Sequence, residues 1–439
     1  MVNRTHSHFA SLPVGVLALF LAACSGGPRD AGEWPQWRGP TGTGVSSAEG
    51  LPLSWDQEGA GVRWQVEVSD KGISSPIVSG GRVFLTSEEQ QGGNTALKVV
   101  SYDLATGALQ WQTTVFTRTR EKFPPRSIAN SPAGPTPVAD GKFVYAYFGS
   151  HLAALDFRGR LAWLEEIDPR YLDDVWYGAG SSLVIAGNKI IVFRDREKTG
   201  EGDFGWLAAF DKKIGRRVWR KQWRDTCCSY TTPLVLERDS GTELVVSMAG
   251  RLASYDSDTG EFLWRRHHVL EQPVASPVVM DDLVCVASGA HFNKGMACWR
   301  MNDRRGKRPK ELWRSARAIP ETSSPVLYNG FLFTLTERGI MSCYNSESGK
   351  LAWRKRIAGG VYHASLIAGD DKIYAFSMGG LVSVIAAEPR FKTLAENQLP
   401  ARGVVASPAI AGGCLVVRTA EHLLCIDGAG TDSEAAHVL

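Results

Sequence analysis

The feature that most constrains this chain is a short pattern that keeps returning, with an Asx residue, a Gly and a Trp at four-residue steps. It reads DLATGALQW (Asp103, Gly107, Trp111), DKKIGRRVW (Asp211, Gly215, Trp219), DSDTGEFLW (Asp256, Gly260, Trp264) and NSESGKLAW (Asn345, Gly349, Trp353). DFRGRLAW is the same pattern one residue shorter, with Asp156, Gly159 and Trp163, and NDRRGKRPKELW, ending at Trp313, is a copy with an insert. A last copy, CIDGAG around Asp427, lacks its Trp. The spacing has a mechanical meaning. The Asx side chain accepts hydrogen bonds from turn amides, the Gly takes the positive φ that closes a hairpin, and the Trp falls on the returning strand.

A second signal lies upstream of these copies: a small-residue start, an apolar strand and a tight turn. It occurs eight times, as SSPIVSGGRVFLTS, GPTPVADGKFVYAY, GSSLVIAGNKIIVF, TTPLVLERDSGTELVVS, ASPVVMDDLVCVAS, SSPVLYNGFLFTLT, HASLIAGDDKIYAF and ASPAIAGGCLVVRT. Each unit of about 40 to 55 residues then supplies four short strands. Eight such units predict an all-β fold, an eight-bladed β-propeller, because radial stacking covers both faces of every blade and leaves no long free edge. The last unit runs out after Asp427, whereas GVRWQVEV at 61–68 carries Trp64 and has no unit of its own. The N-terminal strand is therefore expected to complete the last blade and close the ring. This divides the chain into an N-terminal extension at 34–60, a propeller at 61–430 and a C-terminal tail at 431–439.

Ahead of these, Arg4 precedes an apolar run from Phe9 to Ala23, and Leu21-Ala22-Ala23-Cys24 follows. A run of about fifteen residues reads as an export signal at 1–23 rather than a membrane span. The four-residue ending resembles a lipobox, which implies an acylated Cys24, and Ser25 behind it implies an outer-membrane lipoprotein facing the periplasm. Residues 24–33 have the composition of a flexible tether. The net charge of +3 gives no reason to expect a nucleic-acid partner. The basic run RRVWRKQWR at 216–224 reads as a solvated outer strand, guarded against edge pairing by its Arg and Lys residues.

The Asx-Gly-Trp element is similar to the tryptophan-docking motif of pyrroloquinoline-quinone (PQQ) propellers over about 63 to 428, and the opening WPQWRGPTGTGVSS at 34–47 resembles secreted PQQ-like proteins of planctomycete type. The superfamily holds both quinoprotein alcohol dehydrogenases and the BamB lipoproteins of outer-membrane barrel assembly, so the resemblance specifies fold and leaves function open. By analogy with BamB, the expected function is that of a monomeric, non-enzymatic scaffold without a cofactor, binding another envelope protein. Propeller geometry places short hairpins on one face and long, varied loops on the other, and binding concentrates on such loops. The candidate binding residues there are Arg118, Arg120, Lys122, Arg126, Tyr171, Trp176, Tyr177, Tyr230, His291, Phe292, Tyr362 and His363.

Two alternatives stand beside the scaffold. In PQQ dehydrogenases a vicinal disulfide packs on the cofactor and oxygen ligands hold calcium. Carried onto this chain, that reading uses Cys227, Cys228, Asp173, Asp174, Asp225 and Glu321. There is no Cys-x-x-Cys-His haem site to receive electrons. A carbohydrate-binding propeller would use Trp176, Tyr177 and Tyr362. Cys285 with Cys298, and Cys414 with Cys425, fall on neighbouring strands of single units. They are expected as buried thiols, with cross-strand bridges as the alternative.

Overall fold

The computed structural model describes residues 1, 32–68, 70–119, 131–168, 178–195, 205–226, 228–268, 271–289 and 293–428. Its strands form eight four-stranded antiparallel sheets, and no helix occurs among the described residues. In chain order the blades lie within 77–119, 138–166, 184–223, 234–267, 278–315, 326–356 and 367–398, with blade 8 at 409–426. The outer strand of blade 8 is Val62–Glu67, where Trp64 pairs with Cys425 and Arg63 Nε donates to Asp427 at 3.0 Å. The expected closure by the N-terminal strand is thus the observed one.

The docking motif works through contact between blades. In all eight outer strands the register slips by one residue just before the Trp position, a bulge that marks the docking position whether or not a Trp is docked there. Trp64, Trp111, Trp163, Trp219 and Trp313 each land on the motif Gly of the following blade. A Cβ at Gly107, Gly159, Gly215, Gly260 or Gly349 would lie 2.4 to 2.7 Å from the indole. The glycine therefore serves twice, for its positive φ and for the space it leaves. Each of these indole N–H groups donates to the carbonyl one residue after the Asx, at 2.7 to 3.0 Å. Trp353 does the same toward Glu388 and packs edge-on against Phe391.

Two seams depart from this scheme. At the seam between blades 4 and 5 the insert displaces the receiving glycine, and Trp264 turns back to donate to Glu243 at 2.9 Å within its own blade. Arginines span the gap instead. Arg305 pairs with Asp256 and donates to the Ser240 carbonyl at 3.3 Å, Arg238 donates to the Asn302 carbonyl at 3.2 Å, and Arg266 to that of Pro309 at 2.5 Å. At the seam between blades 7 and 8 the Trp position is Ala395, opposite Val384. Here 51–55 of the N-terminal extension fill in. Tyr374 Oη donates to the Pro52 carbonyl at 2.8 Å, Asn397 bonds both Leu53 and Trp55, and a Cβ at Gly428 would lie 2.8 Å from Pro52. Trp55 is buried in the same apolar cluster as Ile426, with Ala395 against it, and its indole N–H has no acceptor among the described residues.

Cys285 and Cys298 form a disulfide, which corrects the expectation of two free thiols. They sit directly opposite each other in adjacent strands, with Cα atoms 4.1 Å apart. Cys414 and Cys425 remain buried thiols. Cys425 faces Val416, two residues along from Cys414, so that pair is diagonal.

Candidate functional site

The small-residue starts of the eight inner strands meet at the propeller axis, where they build a structure of their own. Ser75 N–H donates to Thr136 Oγ1, Thr136 to Ser182, Ser182 to Thr232, Thr232 to Ser276, Ser276 to Ser324, Ser324 to Ser365, Ser365 to Ser407, and Ser407 back to Ser75. The circle closes with distances of 2.8 to 3.1 Å. A Ser or Thr is needed at each position because the oxygen must reach the neighbouring blade while the side chain stays small enough for eight strands to converge.

On the loop side of this circle lies an axial cavity of about 480 Å³. Trp37 closes it toward the hairpin face, Tyr230, His363, Ile73, Met378 and Val405 form its walls, and seven of the eight circle residues line it. Tyr230 reaches the wall because Gly180 leaves room, since a Cβ there would lie 2.7 Å from that of Tyr230. His363 Nδ1 is 3.4 Å from Thr322 Oγ1, and the Thr322 N–H donates to Glu337 at 2.6 Å.

The N-terminal extension braces the opposite end of the axis. Trp34 exchanges both backbone hydrogen bonds with Val78 of blade 1, the Pro35 carbonyl accepts from Ala139 of blade 2, and Gly44 and Ser46 bond Ala368 of blade 7. Between them, Arg38 Nη2 donates to the carbonyls of Pro325 at 2.5 Å and Leu366 at 3.3 Å, spanning blades 6 and 7. The segment 34–46 therefore crosses the channel as a strap.

Of the sequence-derived candidates, Tyr230 and His363 come together at the cavity. Tyr362 does not belong to the surface: it is fully buried, and its hydroxyl donates to the Ala358 carbonyl, tying down the link from blade 6 to blade 7. Arg118 is also buried, at the end of the outer strand of blade 1 and close enough for its charge to act on Glu88. Cys24, Arg120, Lys122, Arg126, Tyr171, Asp173, Asp174, Trp176, Tyr177, Cys227, His291 and Phe292 lie outside the described residues. Cys228 is buried with φ of 70°.

The two described carboxylates of the dehydrogenase reading are engaged in ion pairs, and neither lines the cavity. Asp225 forms a two-pronged pair with Arg251, at 2.5 and 2.9 Å, in a peripheral groove beside Trp223 and Tyr255. Glu321 pairs with Lys294 at 2.6 Å. No carboxylate lines the described cavity wall, so the described residues do not match a calcium-bound quinone with a carboxylate base. Sequence reasoning registered the small-residue starts but not the closed circle, and it missed Trp37, Arg38 and Met378 altogether. The one available signal was the hydroxyl residue in register at the head of all eight units.

A sequence profile for the family described as outer membrane protein assembly factor BamB matches residues 42–194, 203–309 and 303–432. The chain belongs to this family. The outer membrane protein assembly factor BamB of Yersinia pestis is 21% identical over 369 residues, covering 79% of this chain and 82% of that protein. Among solved structures, BamB from Moraxella catarrhalis aligns at 14% identity with a TM-score of 0.58, over 83% of this chain and 98% of that one. A quinohemoprotein alcohol dehydrogenase from Pseudomonas putida HK5 aligns at 12% identity with a TM-score of 0.62, over 92% and 81%. Likeness at these identities speaks for the fold, which BamB and the dehydrogenase share with this chain.

Proposed function

We propose that the protein is a non-enzymatic scaffold of the cell envelope, a lipoprotein anchored through Cys24 in the outer membrane and facing the periplasm. Its loop face binds a partner from the outer-membrane protein assembly machinery. Membership of the BamB family carries this reading. The geometry supports it in two ways. Strap, hydroxyl circle and Trp docking hold the blades rigid, so the loops are presented with little further ordering cost on association. The described carboxylates that would serve a dehydrogenase are also spent in ion pairs with Arg251 and Lys294.

Affinity capture from detergent-solubilised envelopes tests the partner. Recovery of barrel-assembly components supports the scaffold, and their absence from the captured material removes it. Metabolic labelling with a clickable fatty acid tests the anchor, with label expected on the wild-type chain and lost in Cys24→Ala. Dye reduction by purified protein supplied with PQQ, calcium and a panel of alcohols and sugars would favour the dehydrogenase instead.

A further inference from the structure

The hydroxyl circle has a property that its structural role does not consume. Each Ser or Thr oxygen accepts the N–H of the preceding blade, which leaves every hydroxyl with a proton to donate. No acceptor for these protons occurs among the described residues, although all eight are more than nine-tenths buried. Seven of them line the axial cavity, so its contents are the nearest available acceptor. Accepting an N–H also polarises a hydroxyl toward stronger donation. The wall is thus a convergent set of donors with no carboxylate lining it among the described residues; Glu337 stands behind it, bound to Thr322.

A second observation points the same way. Arg38 is 1% exposed, and its Nε and Nη1 have no hydrogen-bond partner among the described residues. Its Nη2 is bound to the carbonyls of Pro325 and Leu366, the residues that directly follow Ser324 and Ser365 of the circle. It forms no ion pair with a described residue. A guanidinium buried next to the axis without a counter-charge is costly, and an anion nearby offsets that cost. Water satisfies neutral donors as well as a ligand does, and the guanidinium is what shifts the preference toward negative charge.

We propose that the axial cavity is a binding site for a small oxyanion, a carboxylate or phosphate group, held by the hydroxyl circle over Trp37 and compensated by Arg38. Burial lowers the Arg38 pKa to about 9, so the side chain stays charged at neutral pH.

Calorimetric titration of the full chain with inorganic phosphate and, in a separate arm, with acetate tests this, at fixed ionic strength with chloride as balance. One saturable site is expected in at least one arm, and the arm that binds more tightly assigns the group. Arg38→Met should weaken that binding about tenfold or more, the loss expected for a charged partner. Thr232→Val, on a different part of the wall, should weaken it several-fold, and it stands in if the Arg38 variant does not fold. Lys294→Met, outside the cavity, should leave it unchanged. Absence of saturable binding in both arms overturns the proposal, as does an affinity that folded Arg38→Met and Thr232→Val leave intact. A merely structural Arg38 would change the melting temperature alone.

Discussion

The seam between blades 1 and 2 and the seam between blades 4 and 5 solve one problem by different physics. At the first, Trp111 lies flat on Gly159, its N–H donates to the Phe157 carbonyl and Thr113 Oγ1 donates to that of Gly159, so apolar area and two directed bonds join the blades there. At the second, Trp264 is withdrawn to Glu243, and Arg305, Arg238 and Arg266 reach across to a carboxylate and carbonyls. The first kind of joint demands one residue in one conformation. The second tolerates an insert, because long side chains adapt, but its strength depends on charge and solvent. The seam between blades 7 and 8 is a third case, in which the missing Trp is replaced by Trp55 from far away in sequence.

The comparison can be broken or sharpened in order of effect. Removing residues 34–67 takes away strap, seam filler and closing strand together. The remaining chain should show no cooperative melting by circular dichroism, and a sharp transition would mean that the ring closes without them. Trp55→Ala should cost about 3–5 kcal/mol, the usual range for a large buried aromatic, read from denaturant unfolding. Gly159→Ala meets both the Trp111 ring, at 2.6 Å, and an unfavourable φ of 80°, and should cost roughly 3 kcal/mol. Gly306→Ala, in the insert of blade 5, has the same kind of φ but nothing nearer than 3.8 Å, and should cost only about 1 kcal/mol. Equal losses at the two glycines would remove the distinction between the joints.

The blade 3 side of the seam between blades 3 and 4 carries a titrating group beside Trp223, four residues beyond the docked Trp219. Burial raises the Asp195 pKa from 3.8 to about 6, against the hydrogen bonds from Ser229 and Trp223 that favour the carboxylate. The folded state therefore holds this proton more tightly than the unfolded one. Its stability falls as pH rises from about 4 to about 6 and does not recover above that. Asp195→Asn removes the titration, so the variant should gain on the wild type across that window by roughly 2 kcal/mol. A difference in melting temperature that is flat with pH would refute this. The smallest effect is expected at the arginine joint, where Arg305→Met should cost about 1 kcal/mol or less. That loss should shrink further in high salt, while the Gly159→Ala loss should not.

The ring was legible because its information repeats. Asp103, Gly107 and Trp111 recur often enough to reveal a unit, and a unit lacking its outer strand at one end implied Trp64 at the other. Arg38 and Trp55 were not legible for the complementary reason. They stand in a segment without internal periodicity, and nothing local says that Arg38 will meet Pro325 or that Trp55 will stand in for a residue missing opposite Val384. Tyr362 misled because an aromatic residue in a link between blades reads as surface until the Gly359 turn buries it. The cysteines show the limit of strand-level reasoning: Cys285 with Cys298 and Cys414 with Cys425 look alike in sequence, and a two-residue difference in register separates bridged from reduced.

The closing strand has a consequence for how the molecule is made. Arg63 and Asp427 are 364 positions apart, and among the described residues Val62–Glu67 pairs with no strand other than His422–Ile426. A chain synthesised N-terminus first must keep that strand, along with the segment carrying Trp34, Trp37 and Trp55 ahead of it, unmatched until nearly everything else has arrived. Assembly of this protein is therefore obliged to finish where synthesis begins, which leaves the earliest part of the chain exposed longest to chaperones and proteases.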